Sequence, residues 1–266
     1  MCIRDRSHAQ LEAVLDASEI CLGNCLNSLK LGCDCLGEIH YFDINLITHE
    51  GKVRTVEHAI CMHEEDYGIQ WKHFDAQSRT GEVRRSRRLV ISSIFTIGNY
   101  DYGFFWYLYL DGTIQMEVKL TGIVGVTSKT GHENTGQSPQ IAENLTSPVH
   151  QHLFCFRLDW ELDGGANQLF ENNIEVLPVS DSNPYGTQFQ NVATHLTRES
   201  SAQREVAPQV SRSWKVVNPE STNGLGMPVA YKLLPQSVPT IFASADSPTS
   251  KRAAFARHNL WATPYV

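Results

Sequence analysis

Thr96-Ile-Gly-Asn-Tyr100-Asp-Tyr-Gly-Phe-Phe-Trp-Tyr-Leu-Tyr-Leu110 joins a polar, glycine-flanked tyrosine to a strongly aromatic run. Gly98 and Gly103 bracket Tyr100, so the backbone there has conformations closed to other residues. From Phe104 to Leu110 both alternating faces are apolar, the pattern of a strand buried on both sides. A phenol at the mouth of such a strand is placed like a site residue. The competing reading is an ordinary core tyrosine whose hydroxyl is satisfied.

Outward from this stretch the pattern is β. Residues 89–95 read as a buried strand that delivers Tyr100. Residues 104–110, the turn Asp111-Gly112 and residues 113–124 read as a hairpin. Its second strand points Ile114, Met116, Val118 and Leu120 inward and Gln115, Glu117 and Lys119 outward. Residues 39–47 and 53–61 form another hairpin around His49-Glu-Gly-Lys52. Residues 63–81 are polar and read as a loop with one short strand. Residues 128–147 read as a long loop carrying the acceptor triplet Asn144-Leu-Thr146, relevant only in a secreted protein. A third hairpin is expected over 150–162 and 167–179, turning at Asp163-Gly-Gly165. Residues 180–207 are mixed and polar, 213–217 and 229–234 are strands, and 9–16 and 251–258 are short helical turns. Many strands, glycine-containing turns and scarcely any helix predict an all-β, antiparallel β-sandwich.

With 266 residues and a net charge of −7, the chain can bury a sizeable core and is a poor match for nucleic acid or a membrane surface. Arg84-Arg-Ser-Arg-Arg88, beside Glu82, reads as a solvated strand start or a set of ion-pair partners. No apolar stretch is long enough to span a bilayer. Seven cysteines are too few for a disulfide-built scaffold at this length. Cys33-Asp-Cys35 lacks the spacing and second pair of a zinc site.

His150 and His152 are two apart on an expected strand, so both imidazoles leave one face. Phe154, Phe156 and Leu158 continue that face, which places the pair at the rim of an apolar core. Nitrogen donors at this spacing suit Cu(II); two satisfied core histidines are the alternative.

Thr96-x-x-Asn99-Tyr100-Asp101-Tyr102 resembles the active-site signature of the copper amine oxidases. The likeness runs from about Asp16 to the last residues, through Leu31-Gly-Cys-Asp-Cys-Leu-Gly37, Ile60-Cys-Met-His-Glu-Glu-Asp66, His150-Gln-His152 and Leu196-Thr-Arg-Glu199. The resemblance implies that Tyr100 is the precursor of topaquinone, a quinone made from the enzyme's own tyrosine by copper and dioxygen. It implies that Asn99 orients that ring and that His150 and His152 are two of three copper ligands. The third is expected downstream, and neither His195 nor His258 lies in a matching context. Asp16 falls at the position of the catalytic base. A carboxylate in a dry pocket has a raised pKa and can take the α-proton of the amine near neutrality. Val14, Ser18 and Ile20 depart from the family pattern around it. Asp159 and the Trp160 carbonyl match a peripheral second-metal site for calcium or manganese. Cys35 and Cys61 are implied to form a disulfide, all seven free thiols being the alternative. His63-Glu-Glu-Asp66 reads as solvated acids without a catalytic role.

The expected activity is oxidation of a primary amine by dioxygen and water to aldehyde, ammonia and hydrogen peroxide, in a homodimer. Residues 1–7 match nothing in that family and read as foreign sequence, leaving 8–266 as part of a catalytic β-sandwich domain. A part lacking the third histidine is expected to be inactive alone. Substrate identity and localisation are not encoded in these residues. A cupin-like oxygenase is the weaker alternative, since Leu153-Phe-Cys-Phe156 offers no carboxylate after the second histidine. A non-catalytic β-sandwich binding module is the other.

Overall fold

A computed structural model of the chain describes residues 2–4, 13–15, 17, 22–128, 136, 138–236 and 238–263. Strands β1 (Cys2–Arg4) and β2 (Ala13–Leu15) form a small two-stranded sheet. The helical turn expected over 9–16 is therefore extended at Ala13–Leu15, where β-branched Val14 favours a pleated backbone. The chain otherwise divides into two compact units, residues 3–150 and 151–266.

The first unit is built on a five-stranded antiparallel meander. Its strands are β3 (His40–Ile47), β4 (Val53–Asp75), β5 (Thr80–Ile97), β6 (Tyr100–Tyr109) and β7 (Ile114–Gly122), each paired with its sequence neighbour. The turns are where the sequence puts them. Gly51 and Gly112 take left-handed φ values of 74° and 83°, open to residues without a Cβ. The β6–β7 turn closes with Tyr109 N–H on the Thr113 carbonyl at 3.0 Å. Leu26, Val56 and Ala59 form one buried cluster, and Leu29, Cys35 and Cys61 another.

Two expectations fail in this sheet. Residues 63–81 are not a loop: β4 and β5 continue as a paired ribbon out to Asp75 and Thr80. Charge on both strands is the reason. Glu65 sits opposite Arg88 and Asp66 opposite Arg87, and the acids pair with the basic run as Glu64–Arg87, Glu65–Arg88 and Asp66–Arg85. Cross-strand ion pairs support such a ladder without a hydrophobic face. Of the two readings of Arg84–Arg88, a solvated strand start or a set of ion-pair partners, the structure shows arginines that are paired, with Arg84, Arg85 and Arg87 still open to solvent. The second failure is β6, which is not buried on both sides. Tyr107 is 2% exposed, whereas Trp106 and Leu108 on the opposite face are 38% and 36% exposed. Ile114 and Leu120, expected inward, share that open face.

Beyond β7, β8 (Thr127–Ser128), β9 (Gln140–Ala142) and β10 (Leu145–Thr146) form a three-stranded sheet in the order β8-β10-β9. The expected long loop therefore holds regular pairing among its described residues.

The second unit carries β11 (Gln168–Val176), β12 (Phe189–His195), β14 (Ser213–Thr222) and β15 (Pro228–Leu233) in the antiparallel order β12-β11-β14-β15. A smaller pair joins β13 (Gln203–Arg204) to β16 (Leu260–Trp261). Helix α1 (Pro248–Arg252) starts with proline behind Ser247, whose hydroxyl accepts the Ser250 N–H. The hairpin expected over 150–162 does not form, since residues 153–162 carry no strand. The turn at Asp163 is instead held by Asn218, a buried amide that donates to the Leu162 and Asp163 carbonyls at 2.8 and 3.1 Å. That anchor replaces a ladder. Phe156 and Leu158, expected to extend a core face, are each 46% exposed.

Candidate active site

The turn between β5 and β6 is two residues long, Gly98 and Asn99, with Ile97 opposite Tyr100. Gly98 has φ +62°, a conformation glycine adopts without cost. β7 presses closely on this turn. Gly122 lies opposite Tyr100 with φ +98°, and a Cβ there would sit 2.4 Å from the Asn99 carbonyl oxygen. The next residue, Ile123, donates its N–H to that same carbonyl at 2.7 Å. The backbone that carries Tyr100 is therefore pinned from the β7 side.

The side chain of Tyr100 is half-buried, and its phenol oxygen accepts the Gly125 N–H at 2.9 Å. Gly125 also faces the segment that leads to His150: its carbonyl accepts the buried Ser147 hydroxyl at 3.0 Å. Next to it Thr127 and Thr146 pair in register with hydroxyls 2.9 Å apart. These contacts bring the His150 ring beside the Tyr100 ring, 5.5 Å between centroids at 51°. His150 Nδ1 lies 2.8 Å from the Pro148 carbonyl. A carbonyl can only accept, so Nδ1 is the donor in this contact, and in the neutral ring Nε2 is then the nitrogen that carries the lone pair. Metal-ligating histidines are prepared in this way.

A second set of contacts holds the turn from behind. The Thr96 hydroxyl donates to the Asp101 carboxylate, and the Asn27 amide donates to Thr96 Oγ1 at 2.9 Å. Asn27 is itself fixed by its N–H on the Ile94 carbonyl, 2.9 Å away. Neither Asn27 nor Gly125 was singled out from the sequence. Both act through backbone groups or a distant partner, which composition does not display; the one available signal is an asparagine set between the apolar Leu26 and Leu29.

The remaining expected site residues fare unevenly. Asp16 lies outside the described residues. Asn99 contributes its carbonyl to the turn while the residue itself is exposed. His152 is half-buried and belongs to the second unit. Asp159 is exposed, and the Trp160 carbonyl accepts the Asn167 amide at 3.3 Å. His195 stacks on Phe170 at 4.6 Å, and His258 Nδ1 lies 2.7 Å from a Glu205 carboxylate oxygen. Cys35 and Cys61 are free thiols buried in one cluster rather than a disulfide. Among the described residues there is no group of three or more His, Cys, Asp or Glu that could hold a metal ion. The donor chemistry of His150 fits copper, and the set around it is incomplete.

The family model described as "Copper amine oxidase, enzyme domain" matches residues 3–266. The chain belongs to the copper amine oxidase family. It is 49% identical to a histamine oxidase of Arthrobacter globiformis over 251 residues, covering 94% of this chain and 36% of that protein. Identity to a primary amine oxidase of Arthrobacter sp. (strain P1) is 47%, over 94% of this chain and 38% of the relative. The crystal structure of a copper-containing benzylamine oxidase from Hansenula polymorpha superposes with a TM-score of 0.87 at 30% identity, covering 92% of this chain and 39% of the other. The chain thus spans somewhat over a third of the length of the curated relatives it matches. The expected antiparallel β-sandwich class of a copper amine oxidase catalytic domain is borne out.

Proposed function

We propose that the chain carries part of the catalytic domain of a copper- and topaquinone-dependent primary-amine oxidase. The overall reaction converts a primary amine, dioxygen and water to an aldehyde, ammonia and hydrogen peroxide. The observation that carries this reading is the pairing of the Tyr100 phenol with His150, whose Nδ1 is already committed to a carbonyl. Family membership implies copper and topaquinone. When present, copper supplies redox chemistry with dioxygen, and the quinone made from Tyr100 supplies an electrophilic carbonyl and a two-electron sink.

The chain's own residues have distinct tasks in this proposal. His150 and His152 offer imidazole nitrogens to the metal, and a third histidine comes from a part of the enzyme beyond this chain. Gly125 N–H holds the oxygen of Tyr100, while Asn27, Thr96 and Asp101 keep its backbone from drifting. Asn99 orients the ring from the turn. Asp16 takes the α-proton of the bound amine. Asp159 and the Trp160 carbonyl contribute to a peripheral calcium or manganese site. A homodimer is part of the proposal, and the β4–β5 ribbon supports it. Tyr67, Ile69, Trp71 and Phe74 are 48–59% exposed along that ribbon, and a two-stranded ribbon with bare apolar side chains gains stability from a partner surface.

The deciding experiment uses the full-length gene product purified without metal. Addition of Cu(II) and oxygen should generate a phenylhydrazine-reactive chromophore, and Tyr100→Phe should abolish it. The second reading is a non-catalytic β-sandwich binding module. A wild-type protein that binds copper and develops no chromophore would establish that reading instead.

A further inference from the structure

Gln151 stands between His150 and His152 and is half-buried. Its carboxamide reaches a segment far downstream in the chain. Nε2 donates to the Thr240 carbonyl at 3.2 Å, and Oε1 accepts the Phe242 N–H at 2.6 Å. A carbonyl only accepts and an N–H only donates, so the carboxamide fits one way round. Residues 238–242 carry no strand, so their peptide groups must find partners outside a ladder. The Ile241 N–H goes to the Ala256 carbonyl at 3.0 Å, and the Asn259 amide donates to the Val238 carbonyl at 3.1 Å. Asn259 also accepts the Val206 N–H at 3.0 Å, which ties the segment into its surroundings. Gln151, His152 and all of these partners lie in the unit formed by residues 151–266. The side chain of Gln151 thus does what a strand partner would do, just ahead of residues 153–162, which have no strand.

We infer that Gln151 is a positioning residue for the copper centre, mooring the backbone that carries His152 to residues 240–242 through its two hydrogen bonds. The inference rests on the reading of His150 and His152 as copper ligands. Ligand atoms must be held to within about 0.5 Å for a metal to meet its preferred geometry. His150 has its own restraint in the Pro148 carbonyl. That contact orients the ring, and the mooring at Gln151 holds the backbone that follows it. The task needs a neutral side chain with a donor and an acceptor side by side at its tip. Methionine has a similar length and offers no donor. Asparagine keeps both groups but is one methylene shorter, so it cannot reach both partners from the same backbone position.

The test compares the full-length gene product, purified without metal, as wild type, Gln151→Met and Gln151→Asn. Amide hydrogen exchange read by mass spectrometry should show the peptide around Phe242 opening at least about tenfold faster in Gln151→Met. Titration with Cu(II) should give an affinity about 10–100-fold lower than wild type, with a broadened Cu(II) EPR spectrum. Gln151→Asn should fall between the two, and it carries the comparison if Gln151→Met does not fold. Ser247→Ala removes the cap of helix α1 in the same unit. It should lower the urea midpoint and leave copper affinity unchanged. Wild-type copper affinity and EPR spectrum in the glutamine variants would overturn the inference, whatever the exchange rates show. An equal loss of affinity in Ser247→Ala would overturn it too, since any loss of stability would then suffice. A wild type that binds no copper ends this inference together with the oxidase reading, whereas copper bound without a chromophore ends the oxidase reading alone.

Discussion

Asn27 and Thr96 lie 69 positions apart in the chain and are joined by a 2.9 Å hydrogen bond beneath the turn that presents Tyr100. The bond continues through the Thr96 hydroxyl to Asp101, the residue after Tyr100. Asn27→Ala removes the first member and leaves a half-buried hydroxyl and carboxylate to be satisfied by one another alone. The expected cost is about 1–2 kcal/mol, read as a lower urea midpoint at unchanged slope. In the full-length enzyme the same variant should slow chromophore formation from Tyr100 more than it lowers copper affinity. A variant that loses metal and chromophore equally would mean that Asn27 only supports the fold.

Gly122 allows a sharper expectation. Its φ of +98° and the 2.4 Å approach of a would-be Cβ to the Asn99 carbonyl leave no room for alanine. Gly122→Ala must displace the turn before Tyr100 and the Ile123–Asn99 bond with it, costing more than about 2 kcal/mol. Gly224 has nothing within 4 Å of its would-be Cβ and no left-handed φ. Gly224→Ala is expected to change stability by less than about 1 kcal/mol. Urea unfolding of both variants checks the contrast.

The sequence was most legible where one local rule acted alone. Asp111-Gly112 and the alternation after it gave the β6–β7 hairpin, and the motif around Tyr100 gave the family. It misled where two strands had to be read together. His63-Glu-Glu-Asp66 alone looks like a solvated loop, and only the pairing with Arg85, Arg87 and Arg88 makes it a strand. The stretch after His152 failed for the opposite reason: its apolar alternation mimics a strand, yet the turn it leads to hangs on Asn218. The Gly125 N–H that holds Tyr100 was invisible, since every residue but proline offers that donor.

Arg88 marks where the sheet becomes the free ribbon. Its guanidinium stacks on the Tyr107 ring at 3.8 Å and the Tyr67 ring at 4.3 Å, and donates to Glu65 and the Tyr109 hydroxyl. Arg88→Lys keeps the charge and loses the planar stacking and the fork of donors. An expected loss of about 1–2 kcal/mol should appear first as faster protease cleavage within residues 66–85. Equal cleavage rates in wild type and variant would show that the ribbon is held by its ladder alone.

In the second unit, acid sensitivity should centre on Glu171. This carboxylate is 2% exposed and receives two bonds from Arg204, one from Trp214 Nε1 at 3.1 Å, and the Arg212 guanidinium at 3.2 Å. Burial pushes its pKa up, but the Arg204 bonds and the charges of Arg204 and Arg212 outweigh that and hold it below the usual carboxylate value. A group whose folded pKa is depressed stabilises the fold fully above its unfolded value, about 4.3 for glutamate, and loses that contribution as pH falls through the folded pKa. Stability of the second unit should therefore decline below about pH 5. Glu171→Gln leaves two guanidinium groups facing a neutral amide, an expected cost of about 3–5 kcal/mol at pH 7. The variant should also show a flatter acid limb in urea midpoints measured between pH 7 and pH 3. An acid limb as steep in Glu171→Gln as in wild type would place the titrating group elsewhere.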